Sequence, residues 1–325
     1  MNPVKTVEMV LPSFNDIQTA FIRINKTVHH TPVLTSESIN SLLGAELFFK
    51  CENFQKAGAF KYRGATHAVL SLSDEEIRYG VATHSSGNHA AALALAAKKR
   101  GVKCFVAMPR TAPPVKIDAV KEYGAEITFC EPNLSSREKT LAEILKKTGA
   151  VFIHPYDNFQ VICGQGTAAL EFLEEEPALE IMLVPVGGGG ILSGSAITAK
   201  AVNPDIKVIG CEPANADDAS RSFHSGKIQP SHDPNTIADG LLTSLSPLTF
   251  EIIQHKVDDI LTVTETSIIK AMRLIWERMK IIAEPSSAVA LAVLLEHPRL
   301  FRQKRTGIIL TGGNIDLTNL PFGQK

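Results

Sequence analysis

In the stretch ENFQKAGAFKYRGATHAV, residues 52–69, Lys61 falls between the aromatics Phe60 and Tyr62 at what reads as the mouth of a helix. The apolar run AELFFKC precedes it, and Ala65, Ala68, Val69 and Leu72 follow at helical spacing. An ammonium is costly to take out of water, so a lysine in this company needs an explanation. Two readings stay open on these residues alone. The charge snorkels to solvent over an apolar stem, or the amine is neutralised as a Schiff base with a carbonyl group.

Four polar or glycine-rich turns elsewhere could supply the rest of a site. VPVGGGGILSG sets Gly187, Gly188, Gly189 and Gly190 directly before a helix, where backbone N–H groups can converge on an anion such as a phosphate. The pattern is neither a P-loop nor a GxGxxG dinucleotide fingerprint; tight helix–strand packing is the competing explanation. THSSGNHAA crowds Ser85, Ser86, Gly87, Asn88 and His89 before an alanine-rich helix. Capping accounts for one such side chain. The Asn88 amide and the loop N–H groups suit a ring oxygen or a carboxylate, whereas His89 reads as a structural hydrogen-bonder. TGGN offers the Thr311 hydroxyl and the Asn314 amide. EPANADD groups Glu212, Asp217 and Asp218, hard oxygen ligands suited to Mg²⁺, Ca²⁺ or Mn²⁺, or else an acidic first turn of a helix.

These turns must be carried by a scaffold, and the patterning supplies one. Short apolar runs (GVATH, VKCFVAMP, AEITFCE, AVFIHP, EIMLVPV, IKVIGCEP, DDILTV, RTGIILT) alternate with helical stretches. Such alternation predicts mostly parallel sheets covered by helices, with ligands beyond the carboxyl ends of the strands. The compact series inside 76–157 reads as a small mobile domain inserted into a larger one formed by 1–75 and 158–325. A site between them would be a cleft able to close.

Composition narrows the class. The chain has 325 residues, 44% of them hydrophobic and 21% charged, with a formal net charge of −1, so it offers no basic face for nucleic acid. No window holds the roughly 18 apolar residues a membrane helix needs. Cys51, Cys104, Cys130, Cys163 and Cys211 are scattered and odd in number, predicting neither a disulfide framework nor a zinc site. The N-terminus lacks the features of a signal peptide, and the expected setting is a reducing cytoplasm.

Taken in order, FQKAGAFKYRGA, HSSGNHA, GQGTAALE, VPVGGGGILSG, EPANADD, TIADG, WERMK, EPSSA and TGGNIDL resemble the serine racemase and serine/threonine dehydratase family of fold-type II pyridoxal-phosphate enzymes. The resemblance runs from about residue 10 to 318. It implies an α/β, tryptophan synthase β-like fold: two open, twisted, mostly parallel sheets flanked by helices, with the active site in the interdomain cleft. By this resemblance pyridoxal 5′-phosphate is the cofactor and Lys61 its Schiff-base lysine. Phe60 packs near the ring, Asn88 bonds the ring hydroxyl, Gly187 to Gly190 cradle the phosphate and Thr311 faces the pyridine nitrogen. Ser85, Ser86, Gly87, Asn88, His89 and Arg137 would bind the amino-acid substrate; a helix-surface salt bridge is the other reading of Arg137.

Racemisation needs a second acid–base group opposite the lysine. Ser86 stands where serine racemases also carry serine and many threonine dehydratases carry alanine. Members acting on 3-hydroxyaspartate share that serine. The expectation is therefore a serine racemase that also eliminates water to give pyruvate and ammonia. The alternative is a dehydratase for serine, threonine or threo-3-hydroxyaspartate. Glu212, the Ala216 carbonyl and Asp218 match the family's divalent-cation ligands, with Mg²⁺ or Ca²⁺ implied. Two positions depart from the pattern. Ala91 replaces a glutamine that helps bind nucleotide, which argues against activation by ATP. Tyr156 replaces an asparagine of the animal racemases. A chain of 325 residues is expected to lack the amino-acid-sensing domain of the long biosynthetic threonine deaminases, and a homodimer is the expected assembly.

Overall fold

The computed structural model describes residues 9–323. Ten strands build two sheets: β1 (Val33–Leu34), β2 (Glu46–Cys51), β3 (Val81–His84), β4 (Cys104–Pro109), β5 (Glu126–Cys130), β6 (Val151–Phe152), β7 (Ile181–Pro185), β8 (Lys207–Pro213), β9 (Asp259–Val263) and β10 (Arg305–Leu310). The larger sheet has the order β1-β2-β10-β7-β8-β9, with only the short β1 antiparallel. The smaller, β5-β4-β3-β6, is wholly parallel and uses only strands from within residues 81–152. Parallel strands covered on both faces read as continuous apolar runs. Accordingly every residue of β4 and β7 is buried, while the edge strand β5 is largely open. The two parallel sheets and their flanking helices match the α/β architecture expected from the alternating pattern.

The helix Pro285–Glu296 is buried along its length against the larger sheet. The helix Lys61–Ser71 lies between Asn88–Arg100 on one side and Phe159–Glu175 on the other. Its Tyr62, Ala65, Ala68 and Val69 share one core with Leu93, Val106 and Met108 of the smaller layer. On the opposite side, Gly64 and Gly164 bring two helix backbones together: a Cβ on Gly164 would sit 2.6 Å from the Cα of Gly64. The helix bearing Lys61 is thus clamped by both layers.

One buried charge network anchors that clamp. Arg63 is fully buried; its Nε and one amino group bond both oxygens of Glu52 at 2.8 Å, and its amino groups bond both oxygens of Glu171 at 2.7 Å. Buried Lys50 joins Glu171 and Glu175 at 3.0 and 2.9 Å. Guanidinium geometry allows this double bidentate arrangement, which an ammonium could not make.

Candidate active site

The turns after β3, β7 and β10 meet at the carboxyl ends of their strands and line one cleft of ≈ 1020 Å³, part of it open to solvent. Lys61 opens its helix with no side-chain cap. The end of β10 holds it there: Phe60 N–H donates to the Thr311 carbonyl at 3.0 Å, and Ala59 bridges to Gly312. Lys61 Nζ donates to the Pro155 carbonyl at 2.8 Å and sits 5.1 Å from the centre of the Phe60 ring. It lines the cleft instead of running along the outer surface. Burial lowers its pKa to about 8, because the ammonium loses hydration with no carboxylate in ion-pair reach among the described residues.

The glycine loop has no room for side chains. A Cβ on Gly187 would lie 2.9 Å from Leu241 Cα, and one on Gly188 only 2.3 Å from the Tyr156 ring. Gly189 has φ +85° and hems against Leu245 and Ile253. The helix Gly190–Val202 that follows has no side-chain cap, so its first N–H groups are left for a guest. These contacts account for the glycines by packing, and the uncapped N–H groups are donors that an anion could take.

In the turn after β3, the Gly87 N–H donates to Ser85 Oγ at 3.2 Å. Ser86 lines the cleft and makes no hydrogen bond among the described residues. Asn88 donates to Glu284 Oε1 at 2.8 Å and accepts from Asn314 at 3.1 Å, which fixes its amide orientation. Buried His89 has Nε2 3.3 Å from the Ile153 carbonyl; burial first, then Lys61, holds its pKa well below the ordinary value. The neutral ring therefore donates from Nε2, the structural bond expected of it. Thr311 is buried, its hydroxyl 3.1 Å from that of Ser287. Arg137, from the helix Leu134–Thr148, reaches the cleft with its Nε buried and unpartnered. No salt bridge engages it among the described residues.

Three residues of the cleft carry no periodic signal in the chain. Glu284 is 2% exposed, and burial together with Asp239 lifts its pKa to about 7 against the pull of Lys116. Its Oε2 has no hydrogen-bond partner among the described residues. Lys116, from Pro114–Glu122, forms an ion pair with Asp239 across the cleft and folds over Gly87. EPSSA and TIADG mark Glu284 and Asp239 only as members of recurring motifs; Lys116 has no motif.

Glu212, Ala216 and Asp218 do not line the cleft. Glu212 accepts the N–H groups of Ala219 and Ser220 at 2.9 and 2.8 Å, so it caps the helix Asp218–Ser225 from outside. Both carboxylate oxygens of Asp218 are buried without hydrogen-bond partners among the described residues. Burial lifts Glu212 to about 9 and Asp218 to about 6. Among the described residues no three His, Cys, Asp or Glu side chains cluster for a metal. Two carboxylates and a carbonyl remain, an oxygen set that fits a hard divalent cation completed by water.

The model of the family described as pyridoxal-phosphate dependent enzyme matches residues 24–312. A β-hydroxyaspartate dehydratase of Paracoccus denitrificans (strain Pd 1222) is 50% identical over 97% of this chain and 100% of its own. A serine racemase of Dictyostelium discoideum is 51% identical over 98% of each chain. The solved structure of maize serine racemase superposes with a TM-score of 0.93 at 45% identity, covering 95% of both chains. The cleft itself suits such a cofactor: an amine of lowered pKa, a glycine loop before an uncapped helix start and a carboxylate oxygen unpartnered among the described residues line one space. A matched model over most of the length, full-length relatives and a cleft of this chemistry agree that the chain belongs to the pyridoxal-phosphate dependent enzymes.

Proposed function

We propose that this enzyme interconverts L- and D-serine and, in the same cleft, eliminates water from serine to give pyruvate and ammonia. The observation that carries the reading is the pairing of Lys61, an amine half-neutral near pH 8, with Ser86, a hydroxyl free of other bonds, on one cleft. Gly187 to Gly190 and the start of Gly190–Val202 would hold the cofactor phosphate, Phe60 and Asn88 its ring and ring hydroxyl. Thr311 would meet its pyridine nitrogen with a neutral hydroxyl. When bound, pyridoxal phosphate supplies an electron sink for the negative charge left at the substrate Cα. Lys61 removes or returns the Cα proton on one face, and Ser86 does so on the other. Lys116, folded over Gly87, sets a positive charge beside the Ser86 loop and so eases loss of the hydroxyl proton. Arg137 pairs with the substrate carboxylate, assisted by the uncapped N–H groups at the start of the helix Asn88–Arg100.

Residues 76–157 would act as the mobile domain against 1–75 with 158–325, closing the cleft and excluding water. Glu212, Ala216 and Asp218 would hold Mg²⁺, or Ca²⁺ or Mn²⁺, supported by the unpartnered oxygens of Asp218. Five free, buried cysteines suit the cytoplasm, and a homodimer is the assembly we expect.

The test measures D-serine by chiral chromatography and pyruvate in one reaction with L-serine, pyridoxal phosphate and Mg²⁺. Ser86→Ala is expected to abolish D-serine and spare pyruvate, while Lys61→Ala abolishes both. Pyruvate alone from the unaltered enzyme, indifferent to Ser86, overturns the racemase. The unpaired Arg137, together with the β-hydroxyaspartate dehydratase relative, favours a second reading as a 3-hydroxyaspartate dehydratase. It predicts faster ammonia release from that substrate than from L-serine.

A further inference from the structure

The turn HPYDN, residues 154–158, joins the smaller sheet to the larger body and touches two parts of the cleft. Its Pro155 carbonyl receives Lys61 Nζ, and Tyr156 lies against Gly188 and Gly190. Both ends are fixed. Ile153 N–H donates to the Ala82 carbonyl at 2.9 Å, and Asn158 Oδ1 caps the helix Phe159–Glu175 by accepting from Val161 N–H at 3.0 Å.

The middle of the turn is held by His154. Its Nδ1 lies 3.3 Å from the Tyr156 nitrogen and 2.8 Å from the Asp157 nitrogen. Both of those groups are N–H donors, so Nδ1 must be the acceptor and the ring proton sits on Nε2. The ring stands edge-on to Tyr156 at 4.6 Å between centroids, to Phe152 at 5.5 Å and to His84 at 5.6 Å.

We propose that His154 is the positioning residue of the Lys61 amine: its unprotonated Nδ1 pins the turn that presents the Pro155 carbonyl to Nζ. An amine that donates one N–H to a fixed carbonyl loses free rotation about its last bond. Its lone pair is then turned away from the carbonyl, into the two remaining staggered positions, a direction that a nucleophile or base can use. Among the described residues Nζ has no other hydrogen-bond partner, so Pro155 alone sets that direction. Burial, with His84 and Lys61, takes the His154 pKa down to about 3, so the acceptor persists throughout the working range.

The inference rests on Lys61 being the lysine that binds the cofactor, and the test separates the two. Cofactor-free protein is prepared as the natural form and as His154→Asn, His154→Gln, His154→Ala and Lys61→Ala. Two rates are followed: the absorbance change on adding pyridoxal phosphate, and acylation of Lys61 by a small reagent, quantified by mass spectrometry. The Asn side chain places an acceptor where Nδ1 was and can bond the N–H groups two and three residues on; the Gln amide reaches the Nε2 position instead. His154→Asn is expected to keep both rates near those of the natural form, while His154→Gln and His154→Ala slow both by roughly tenfold, the scale of a small misplacement of a reacting group. Circular dichroism and melting identify any variant that fails to fold; if His154→Ala does, Asn against Gln decides. Equal rates for Asn and Gln, or an unaffected His154→Ala, overturn the proposal. Covalent cofactor uptake by Lys61→Ala overturns instead the assignment of the cofactor lysine.

Discussion

Moving Lys61 into the cleft removes hydration from its ammonium, and no carboxylate within ion-pair distance offsets the loss among the described residues. Its pKa near 8 follows from that imbalance. Acylation of Lys61 in cofactor-free protein should therefore show a midpoint near pH 8, below that of exposed lysines, when peptides are quantified across pH. A midpoint near that of an ordinary lysine would mean the amine is solvated. Arg137 poses the complementary case, a cation whose Nε is buried and idle. Arg137→Ala should raise KM for L-serine about tenfold, as loss of a charge-assisted pair does. Arg137→Lys should restore only part of it, since an ammonium lacks the planar fork. Steady-state kinetics on the holoenzyme reads both. Lys61 could be singled out in the chain because its neighbours are apolar. Arg137, in a run of polar helix residues, reads in the chain as a substrate partner or more simply as a surface salt bridge, and nothing local distinguishes the two.

At the scale of elements, two features set the position of the Lys61 helix and of the loop that faces it. Arg63, one half-turn beyond Lys61, holds Lys61–Ser71 to Glu52 and Glu171. Arg63→Met leaves Glu52 buried without a counter-charge and Glu171 with Lys50 alone, and a loss of about 3–5 kcal/mol of unfolding free energy is expected in urea titrations. The glycine loop is limited by contact instead of charge. In Gly188→Ala the new methyl group meets the Tyr156 ring, so either the ring or the loop must shift. Affinity for pyridoxal phosphate, read by fluorescence titration, should fall about tenfold, and the overpacked contact should lower the melting temperature of the cofactor-free protein by a few degrees. An unchanged affinity would show that the loop does not hold the phosphate. The strands and helices themselves were legible from apolar runs and glycine stops. The helix–helix contact through Gly64 and Gly164 was not, because each glycine is unremarkable alone and matters only where the two backbones meet.

For the whole molecule, two sheets meeting at their carboxyl ends make the cleft, and the Lys116–Asp239 pair spans it. Packing between the layers also buries histidines in the neutral form. His67 and His84 both fall to about 4, mainly through burial. The unfolded chain binds protons at these groups near pH 6.5, the folded one not until about pH 4, so in that window the unfolded state holds more protons. Their contribution is fully present above pH 6.5 and is lost as pH falls towards 4, by up to ~1.4 kcal/mol per pH unit per histidine. Urea midpoints at pH 7 and pH 5 test this; His67→Gln should flatten the slope, and an equal slope in that variant would assign the loss to other groups. The amino-acid sequence by itself determined the alternation of strands and helices, the lysine at a helix mouth, the side-chain-free loop before Gly190–Val202 and the membership these motifs announce. All of these are local, since a few neighbouring residues encode the backbone conformation each requires. Only the tertiary structure decided that Pro155 faces Lys61, that Glu284 holds Asn88, that Lys116 reaches Asp239 and that Arg137 stands unpaired in the cleft. No period in the chain relates such distant positions; sheet order and helix packing bring them together, and burial then sets their charge.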